Sequence, residues 1–297
     1  MTDRLLGSGL IIVDKPAGMT SHDVISRLRR IFGTRRIGHA GTLDPMATGV
    51  LVVGIERGTR FLAHLVTETK TYRATIRLGA STTTDDAEGD ITSRTDTTGV
   101  TDTLIDAAIA QLTGDIMQKP AAVSAIKIDG KRAHERVRDG ETVDIPARPV
   151  TVHRFDVLDR RSVDGYIDLD VDVFCSSGTY IRSLARDLGN ALGVGGHLTA
   201  LRRTTVGPFD LTHARTLEEL EDNPQLSLTL DQALAVSFPI LRVSGEEGHK
   251  LAMGQWLEPR GLKGIHAAVT PDGQAVALVK EKGKRLATVF VARPSTL

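Results

Sequence analysis

From Ile167 to Cys175 every second residue is apolar, and aspartates occupy three of the positions between them. This period of two constrains the fold more than any other feature, because it predicts a β-strand with one face in a core and the other in a polar environment. The segment from Tyr72 to Leu78 alternates in the same way, with arginine or threonine between the apolar residues. Half-buried strands of this kind are typical of antiparallel sheets.

The helical pattern is clearest near the N-terminus. Thr20, with Asp23 three residues later, has the pattern of a capping box, and apolar residues then recur at helical spacing until Gly33. Residues 81–103 are rich in Thr, Asp and Gly and are predicted to form a long surface excursion. A second helix is predicted at about residues 102–112.

The C-terminal part of the chain contains short apolar stretches at residues 268–269, 275–279 and 286–291, separated by tight turns. Short strands joined by tight turns predict a small β-barrel. We therefore expect an α+β fold, in which a mixed, mainly antiparallel sheet is flanked by helices. Residues 1–236 would form this larger domain, and residues 237–297 the barrel.

Cys175 is the only cysteine among the 297 residues, so no internal disulfide can form and a reducing, cytoplasmic location is expected. It lies on the apolar side of its strand, which favours a core position over a role as nucleophile. The N-terminal apolar run, residues 10–13, is too short for a signal sequence or a membrane span. We expect neither export nor contact with a membrane.

The net charge is zero, with 37 basic and 37 acidic side chains, but the charges are unevenly distributed. Residues 26–43 contain five arginines and no acid, residues 210–235 contain six acids and one arginine, and the chain from residue 242 onward is basic again. Because local fields steer a polyanion, the two basic regions predict contacts with phosphates. A solvated helix face is the alternative for the arginines of the first helix.

Several motifs of cofactor and metal chemistry are absent. The sequence contains no Gly-x-x-x-x-Gly-Lys-Ser/Thr, no Gly-x-Gly-x-x-Gly after a strand, no His-Glu-x-x-His and no pair of cysteines. A nucleotide cofactor or a zinc site therefore has little support, and we expect no cofactor. Carboxylates and arginines remain as candidates for catalysis.

Asp44 precedes Pro45 in the segment GHAGTLDPMATGVLVVG, residues 38–54, a loop rich in Gly and Thr that runs into an apolar strand. A turn would explain the Asp-Pro pair, since proline restricts the preceding residue to extended geometry. A catalytic carboxylate is the alternative.

Arg182 lies three residues after Thr179, the predicted N-cap of a helix that carries Tyr180 on its apolar side. The helix dipole disfavours a cation in the first turn, so a partner anion is expected. A buried carboxylate is one candidate, because a neighbouring arginine would keep it ionised and oriented. A surface ion pair with Asp187 or Glu141 is the other.

Together these segments resemble the TruB type of tRNA pseudouridine-55 synthases. The similarity covers most of the chain and is carried by six stretches: residues 9–21 (GLIIVDKPAGMTS), 36–54 (RIGHAGTLDPMATGVLVVG), 70–78 (KTYRATIRL), 81–89 (STTTDDAEG), 120–140 and 175–203. One short motif around the aspartate would be weak, but the six stretches in this order are specific.

The resemblance implies that the chain isomerises one uridine in the T stem-loop of tRNA, at position 55, and that it also assists tRNA folding. It implies a reaction without a cofactor, by a monomer that requires no protein partner. It further implies an RNA-binding insertion around residues 115–150 and a C-terminal barrel of the PUA type, which binds RNA.

By resemblance, Asp44 is the catalytic aspartate and Arg182 pairs with it. Four further residues would contact the flipped nucleotide or the RNA around it: Tyr72 stacks on the uracil, Tyr180 and Leu201 line the pocket, and His39 fills the gap in the RNA stack. From the residues alone, Tyr72 and Leu201 are also explained as core side chains. His39 is also explained as a polar residue of a glycine-rich loop.

The sequence departs from the family pattern in the insertion. Pro-Ala-Ala-Val-Ser-Ala stands at residues 120–125 where Pro-Pro-x-Tyr-Ser-Ala is expected, and Arg-Ala-His-Glu stands at residues 132–135 where Arg-x-Tyr-Glu is usual. Two aromatic side chains are therefore missing from a segment that, by resemblance, closes over the RNA. The C-terminal region is also short for a PUA barrel.

Two other classes of function fit part of the sequence. A glycoside or nucleoside hydrolase would use Asp44 as nucleophile and Asp85, Asp86 or Glu88 as acid. A non-catalytic protein that binds or folds RNA would need only the basic regions and the barrel. For an isomerase, the sequence leaves open whether Asp44 attacks C6, attacks C1′ or removes the 2′ proton.

Overall fold

The computed structural model describes residues 7–65, 69–121, 127–128, 131–132 and 145–295. In chain order, the strands are β1 Gly9–Lys15, β2 Ile37–Ala40, β3 Thr48–Ile55, β4 Lys70–Leu78, β5 Ala80–Thr82, β6 Ile91–Arg94, β7 Gly114–Gln118, β8 Lys127–Ile128, β9 Lys131–Arg132, β10 Arg148–Val163, β11 Tyr166–Cys175, β12 Gly196–Val206, β13 Phe209–Asp210, β14 Leu228–Thr229, β15 Ile240–Arg242, β16 Ile265–Val269, β17 Ala275–Lys282 and β18 Arg285–Val291. The helices are α1 Ser21–Ile31, α2 Gly58–Phe61, α3 Asp102–Gln111, α4 Ile181–Ala191, α5 Leu217–Asp222, α6 Leu230–Ser237 and α7 Gly245–Ala252, with 3-10 turns at Leu62–His64 and Leu211–His213.

The chain divides into two compact units, of which the first consists of Met1–Pro45, Gly49–Val66 and Val206–Leu297. In this unit β1 pairs with β3 in antiparallel register along its whole length, from Gly9 opposite Ile55 to Lys15 opposite Gly49. Strand β14 pairs with β1, and β2 pairs with β3, again antiparallel. Apolar side chains of β1, β3, α6 and β16 to β18 form one buried cluster. This core supports the loop before β3, which carries Asp44.

Helix α1 follows the sequence prediction closely. Thr20 is its N-cap, and the Thr20 side chain and the Asp23 side chain each bond to the other residue's backbone N–H, which completes the capping box. Val24, Ile25 and Leu28 are buried, as the helical spacing of the apolar residues predicts.

The C-terminal strands form a second sheet in the first unit, in the order β15–β16–β17–β18. Strands β15 and β16 are parallel, and the other two pairs are antiparallel. The three strands predicted here are confirmed, while closure into a PUA-like barrel and the boundary at residue 236 stay predictions. Arg57, just before α2, donates hydrogen bonds to the carbonyl oxygens of Val291 (2.5 Å) and Ala292 (2.8 Å). These bonds connect the N-terminal segment of this unit to the end of the chain.

The second unit consists of Met46–Thr48 and Thr67–Thr205. Its strands are ordered β12–β4–β11–β10–β7, and β4–β11, β11–β10 and β10–β7 are antiparallel pairs. The alternation predicted for β11 is confirmed, because its apolar residues are buried and its aspartates pair with arginines of adjacent strands. Asp168, for example, accepts two hydrogen bonds from Arg77, at 2.8 and 2.7 Å. The prediction of a mixed, mainly antiparallel sheet with flanking helices is therefore confirmed.

The prediction of a surface excursion over residues 81–103 is wrong in part. Strands β5 and β6 form a hairpin there, and the chain turns inward so that Thr82, Asp86 and Thr97 are buried. Most of the segment is exposed, as predicted, and its few buried polar groups are hydrogen bonded. The Thr82 hydroxyl, for example, donates to the carbonyl oxygen of Asp86 at 2.7 Å.

The predicted cap of α4 is also wrong. Tyr180 is the N-cap residue, and its own side chain makes no capping hydrogen bond. Thr179 instead donates its hydroxyl to the carbonyl oxygen of Ser176 at 2.9 Å.

In the described part of the chain, none of the helices is both long enough and apolar enough to cross a membrane.

Candidate active site

Asp44 is half-buried between two residues whose backbone is anchored within the first unit. On one side, the Ser21 hydroxyl accepts a hydrogen bond from the N–H of Leu43 (2.9 Å) and lies 3.1 Å from its carbonyl oxygen, to which it donates. On the other side, the carbonyl oxygen of Pro45 accepts from the Lys15 ammonium (3.2 Å) and from the N–H of Gly18 (2.8 Å). The peptides flanking Asp44 are therefore held from both directions.

Lys15 is the central support of this loop. Its side chain is fully buried, and its ammonium donates to the carbonyl oxygens of Pro16 (2.8 Å), Met19 (2.6 Å) and Pro45 (3.2 Å). A buried cation is tolerated only where hydrogen bonds replace its hydration, and three carbonyl oxygens supply them here. The ammonium thus connects the end of β1 to the loop that carries Asp44.

Sequence reasoning missed both Lys15 and Ser21 as supports of the loop. They belong to residues 9–21, one of the stretches that carry the resemblance, but no role followed from the pattern. A lysine at the end of a mostly apolar strand is the feature that could have indicated burial, since lysine is rarely buried without dedicated partners.

The glycines around His39 suggest an irregular loop, but the structure shows otherwise. His39 lies on β2, opposite Val53 of β3, and is half-buried. A cavity of about 540 Å³ in the first unit contains His39 in its lining, together with Arg35, Arg36, Ile37, Gly38, Ala40, Gly41, Thr42, Thr59, Leu62 and Ala63. The two arginines give the edge of this cavity a positive charge.

Some of the arginines on and after α1 form ion pairs with acidic side chains that are distant in the sequence. Arg27 forms ion pairs with Glu221 (2.7 Å) and Glu218 (3.1 Å) of α5. Arg36 lies 3.5 Å from the Glu56 carboxylate. Two glutamates of the acidic stretch at 210–235 therefore neutralise part of the basic cluster, and two of its five arginines have acidic partners.

Tyr72 and Leu201 lie on β4 and β12, which are adjacent strands of the second unit. Both are buried, with 7% and 8% of their surface exposed. Tyr72 is opposite Val173 of β11 and shares the buried face of β4 with Ile76. On this sheet Cys175 is fully buried, and burial raises the pKa of its thiol to about 11, which confirms its core position.

Arg182 is buried near the start of α4, with 6% of its surface exposed. Its guanidinium lies 3.5 Å from the Asp86 carboxylate and donates to the carbonyl oxygen of Thr84 at 3.0 Å. The alternative of a surface ion pair with Asp187 is wrong, since Asp187 pairs with Arg186 at 2.9 Å. Glu141, the other surface partner considered, lies outside the described residues.

Asp86, the anion beside Arg182, is itself fixed by its own loop. It is 2% exposed and accepts hydrogen bonds from the Thr84 hydroxyl (2.5 Å) and the N–H of Glu88 (3.0 Å). Its neighbour Asp85 pairs with Arg186 at 3.0 Å, and burial raises the pKa of the Asp85 carboxyl although Arg186 opposes the shift. Each of the two aspartates therefore holds one arginine of α4.

The site residues predicted from the sequence thus fall in both units. Asp44 and His39 belong to the first unit, while Tyr72, Tyr180, Arg182 and Leu201 belong to the second. The pairing of Arg182 with Asp44 stays a prediction. Within the described ranges, no group of three or more His, Cys, Asp or Glu side chains is arranged to hold a metal ion.

Comparison with known sequences gives matches along the whole chain. Residues 29–181 match the model of the N-terminal domain of the TruB family of pseudouridylate synthases. Residues 182–235 match the model of the tRNA pseudouridylate synthase B C-terminal domain. Residues 238–293 match the model described as tRNA pseudouridine synthase II, C terminal. A tRNA pseudouridine synthase B of Corynebacterium efficiens is 72% identical over 297 residues, which is 100% of both chains. One of Corynebacterium glutamicum strain R is 74% identical over 289 residues, which is 97% of each chain.

Solved structures give the same result at lower identity. A chain of a Cbf5-Nop10-Gar1 complex aligns with a TM-score of 0.74 at 27% identity, over 98% of this chain and 87% of that chain. A chain of an H/ACA RNP bound to a substrate RNA containing 2′-deoxyuridine aligns with a TM-score of 0.72 at 27% identity, over 96% and 85%. The family models, the identities and the fold agree, and the chain belongs to the TruB family of pseudouridylate synthases.

Proposed function

We propose that this chain isomerises uridine to pseudouridine in tRNA, at position 55 of the T loop, with Asp44 as the catalytic carboxylate. Two relatives with 72% and 74% identity over nearly the whole chain are named tRNA pseudouridine synthase B. The observation that carries the role of Asp44 is the anchoring of both adjacent residues, Leu43 by Ser21 and Pro45 by Lys15. Catalysis requires a carboxylate in a fixed position, whereas a surface turn does not.

The reaction breaks the N1–C1′ bond of uridine, turns the uracil, and forms a C5–C1′ bond. The proton that leaves C5 is released and the ring nitrogen gains one, so the atoms of the nucleotide balance without a redox or group-transfer partner. A carboxylate contributes as a nucleophile toward C6 or C1′, or as a base toward the 2′ proton. All three routes require Asp44 in its ionised form. A guanidinium beside it would favour that form, and we assign this role to Arg182.

The target uridine must leave the RNA stack before the reaction, which costs a few kcal/mol. Four residues are proposed to offset this cost by contact with the flipped base or with the RNA it leaves: Tyr72 stacks on the uracil, Tyr180 and Leu201 line its pocket, and His39 fills the gap. The cavity at His39 supports this assignment, because Arg35 and Arg36 at its edge suit a phosphate backbone.

The hydrolase alternative has weaker support. It needs a second carboxyl group that donates a proton to the leaving group. Asp85 and Asp86 are each held against an arginine of α4, at 3.0 and 3.5 Å. A carboxylate paired with a guanidinium in this way is suited to orient it rather than to deliver a proton, and Glu88, the third candidate, is exposed to solvent.

The C-terminal region supplies a further surface for RNA. Trp256 is 45% exposed, and the Arg285 guanidinium lies 4.9 Å from the centre of its ring. Both residues line a cavity of about 510 Å³ together with Lys282 and Lys284. An exposed indole among cations suits an unpaired base and its phosphates. Since stacking is worth about 1–3 kcal/mol per base, Trp256→Ala should raise the KM for tRNA roughly tenfold and leave kcat unchanged.

The test of the proposed reaction is release of tritium from tRNA that contains 5-tritiated uridine. Wild type should release tritium, Asp44→Asn should release none, and the exposed control Asp222→Asn should match wild type. A tRNA with uridine 55 replaced by cytidine should release no tritium from the T loop. Turnover by Asp44→Asn would refute the role of Asp44, and release of free uracil would support a hydrolase instead. Restored tRNA folding by Asp44→Asn would show a folding activity apart from catalysis.

We propose further that the chain acts as a cytoplasmic monomer without a protein partner or a cofactor. The solved structures that it resembles include complexes with Nop10 and Gar1, so this point needs its own measurement. Light scattering during gel filtration of the purified chain should give the mass of one copy, 31.9 kDa. The same fraction, dialysed against a chelator, should be fully active on tRNA transcripts.

A further inference from the structure

Gln118, at the end of β7, makes an unusual contact for a glutamine side chain. It is 1% exposed, and both of its polar atoms bond to the backbone of one residue. Its Nε2 donates to the carbonyl oxygen of Tyr180 at 3.0 Å, and its Oε1 accepts from the N–H of Tyr180 at 2.8 Å. In an antiparallel sheet, paired residues exchange the same two bonds. The carboxamide of Gln118 therefore takes the place of a neighbouring strand.

Tyr180 is the residue at which α4 begins, and its backbone needs such a partner. It is extended, with φ −100° and ψ 111°, and its own side chain makes no capping bond. The first N–H groups of a helix have no partner within the helix. The carbonyl oxygen of Tyr180 also accepts the first helical hydrogen bond, from the N–H of Leu184 at 3.2 Å. Gln118 thus fixes the residue from which the helix starts.

A second contact ties the chain just after β7 to α4, six residues after Tyr180. Arg186 donates to the carbonyl oxygen of Lys119 at 2.7 Å. The end of β7 therefore contacts α4 at two points, once through the side chain of Gln118 and once through the backbone carbonyl of Lys119. Any slide or rotation of α4 along its axis would break these three hydrogen bonds. Arg182 lies between the two points of contact and also lies 3.5 Å from Asp86.

We propose that Gln118 is a positioning residue for the isomerisation, which sets the register of α4 and so places Tyr180 and Arg182 toward the target nucleotide. The inference rests on the roles proposed above for those two residues. A residue needed only for packing would have no reason to donate and accept on the same residue. Methionine fills a similar volume without either bond, so it separates packing from positioning.

The first test is Gln118→Met, assayed by tritium release under single-turnover conditions and at steady state. Because a shift of about 1 Å in a catalytic group can lower the rate about 10²-fold, kcat should fall by about tenfold to a hundredfold while KM changes less than about threefold. Gln111→Met, at an exposed glutamine of α3, should match wild type. Wild-type kcat for a folded Gln118→Met protein would overturn the proposal.

The second test is Gln118→Glu, which keeps the shape of the side chain and serves if the methionine variant does not fold. A carboxylate accepts from the N–H of Tyr180 but cannot donate to its carbonyl oxygen, whereas a protonated carboxyl does both. The ratio of variant to wild-type kcat should therefore rise as pH falls. An altered melting temperature with a ratio that does not change with pH would show a purely structural role and overturn the proposal.

A double-mutant cycle with Arg182→Lys separates this inference from the proposed function. If Gln118 acts through the placement of Arg182, the loss in Gln118→Met with Arg182→Lys should be smaller than the product of the two single losses. If the loss in the double mutant equals the product of the two single losses, Gln118 does not act through Arg182. That outcome would refute this inference and leave the proposed function standing. A folded Arg182→Met enzyme with wild-type kcat would instead refute the proposed role of Arg182.

Discussion

Asp44 and Arg182, the two charged residues proposed to act together, are held in different ways within their own units. The loop of Asp44 is fixed through the backbone of the adjacent residues, on which the Ser21 hydroxyl, the Lys15 ammonium and the N–H of Gly18 converge. Arg182 is buried and is fixed through its own guanidinium, by Asp86 and the carbonyl oxygen of Thr84. Several groups thus hold the residues next to Asp44, whereas the contacts described for Arg182 act on its guanidinium itself.

This difference has a consequence for mutagenesis. Where several groups hold one loop, the loss of one group leaves the others in place, so the activity should fall moderately. Where support acts directly on one buried charge, the loss of an ion-pair partner disturbs that charge itself. Substitutions in the support of Arg182 should therefore lower the rate more than substitutions in the support of Asp44.

Arg182→Met should have the largest effect. Removal of the guanidinium leaves the buried Asp86 carboxylate without its cation, which destabilises a fold by about 3–5 kcal/mol, and kcat should fall by about 10³-fold. Tritium release measures the rate, with Arg73→Met, an exposed arginine of β4, as the control. Alkylation of Cys175 at pH 8 reports folding, because burial raises the pKa of this thiol to about 11. A folded Arg182→Met enzyme with nearly normal kcat would contradict the comparison.

Asp86→Asn should come second, with kcat lower by about 10²-fold, because the guanidinium stays but loses its contact with the Asp86 carboxylate. The matched control is Asp90→Asn, at an exposed position of the same loop between β5 and β6. A neutral amide should be tolerated there, with kcat within about threefold of wild type. Equal losses of kcat in both variants would mean that the loop as a whole, rather than the contact of Asp86 with Arg182, determines the rate.

Lys15→Met should lower kcat by about tenfold and mainly affect stability. The variant removes three hydrogen bonds from a charged donor, each worth about 1.5–3 kcal/mol, but the carbonyl oxygen of Pro45 keeps the N–H of Gly18. Urea denaturation should show a clear loss of unfolding free energy. Lys250→Met, which removes an exposed ion pair with Glu246, should cost less than about 1 kcal/mol. A rate loss as large as that of Arg182→Met would show that support for Asp44 is not distributed.

The features that the sequence predicts well are local. The strands β4 and β11 follow from alternation within nine or ten residues, and α1 follows from Thr20, Asp23 and the spacing of apolar residues. The catalytic role of Asp44 is predicted from its immediate surroundings and from the resemblance, and it stays a prediction. In each case the residues that determine the structure are close together in the chain.

The features that the sequence does not predict depend on distant partners. Thr179 is a residue type typical of an N-cap, but the N-cap of α4 is Tyr180, whose backbone bonds to the side chain of Gln118, 62 positions away. Arg27 looked unopposed, but its partner Glu221 is 194 positions away. Asp86 lies in a polar segment, and only the folded hairpin shows that it is buried. Propensity and periodicity carry no information on such pairings, which depend on the tertiary fold.

The smallest effect is expected for Ser21→Ala, which completes the comparison at the support of Asp44. The Ser21 hydroxyl is buried and accepts from the N–H of Leu43, so its loss should lower the unfolding free energy by about 1–3 kcal/mol. Lys15 and Gly18 would still hold Pro45, and kcat should therefore fall by no more than about threefold. Ser26→Ala, at an exposed position of α1, is the control and should be neutral in both measurements. A loss above about thirtyfold in folded Ser21→Ala would mean that one hydroxyl, and not the set of anchors, determines the position of Asp44.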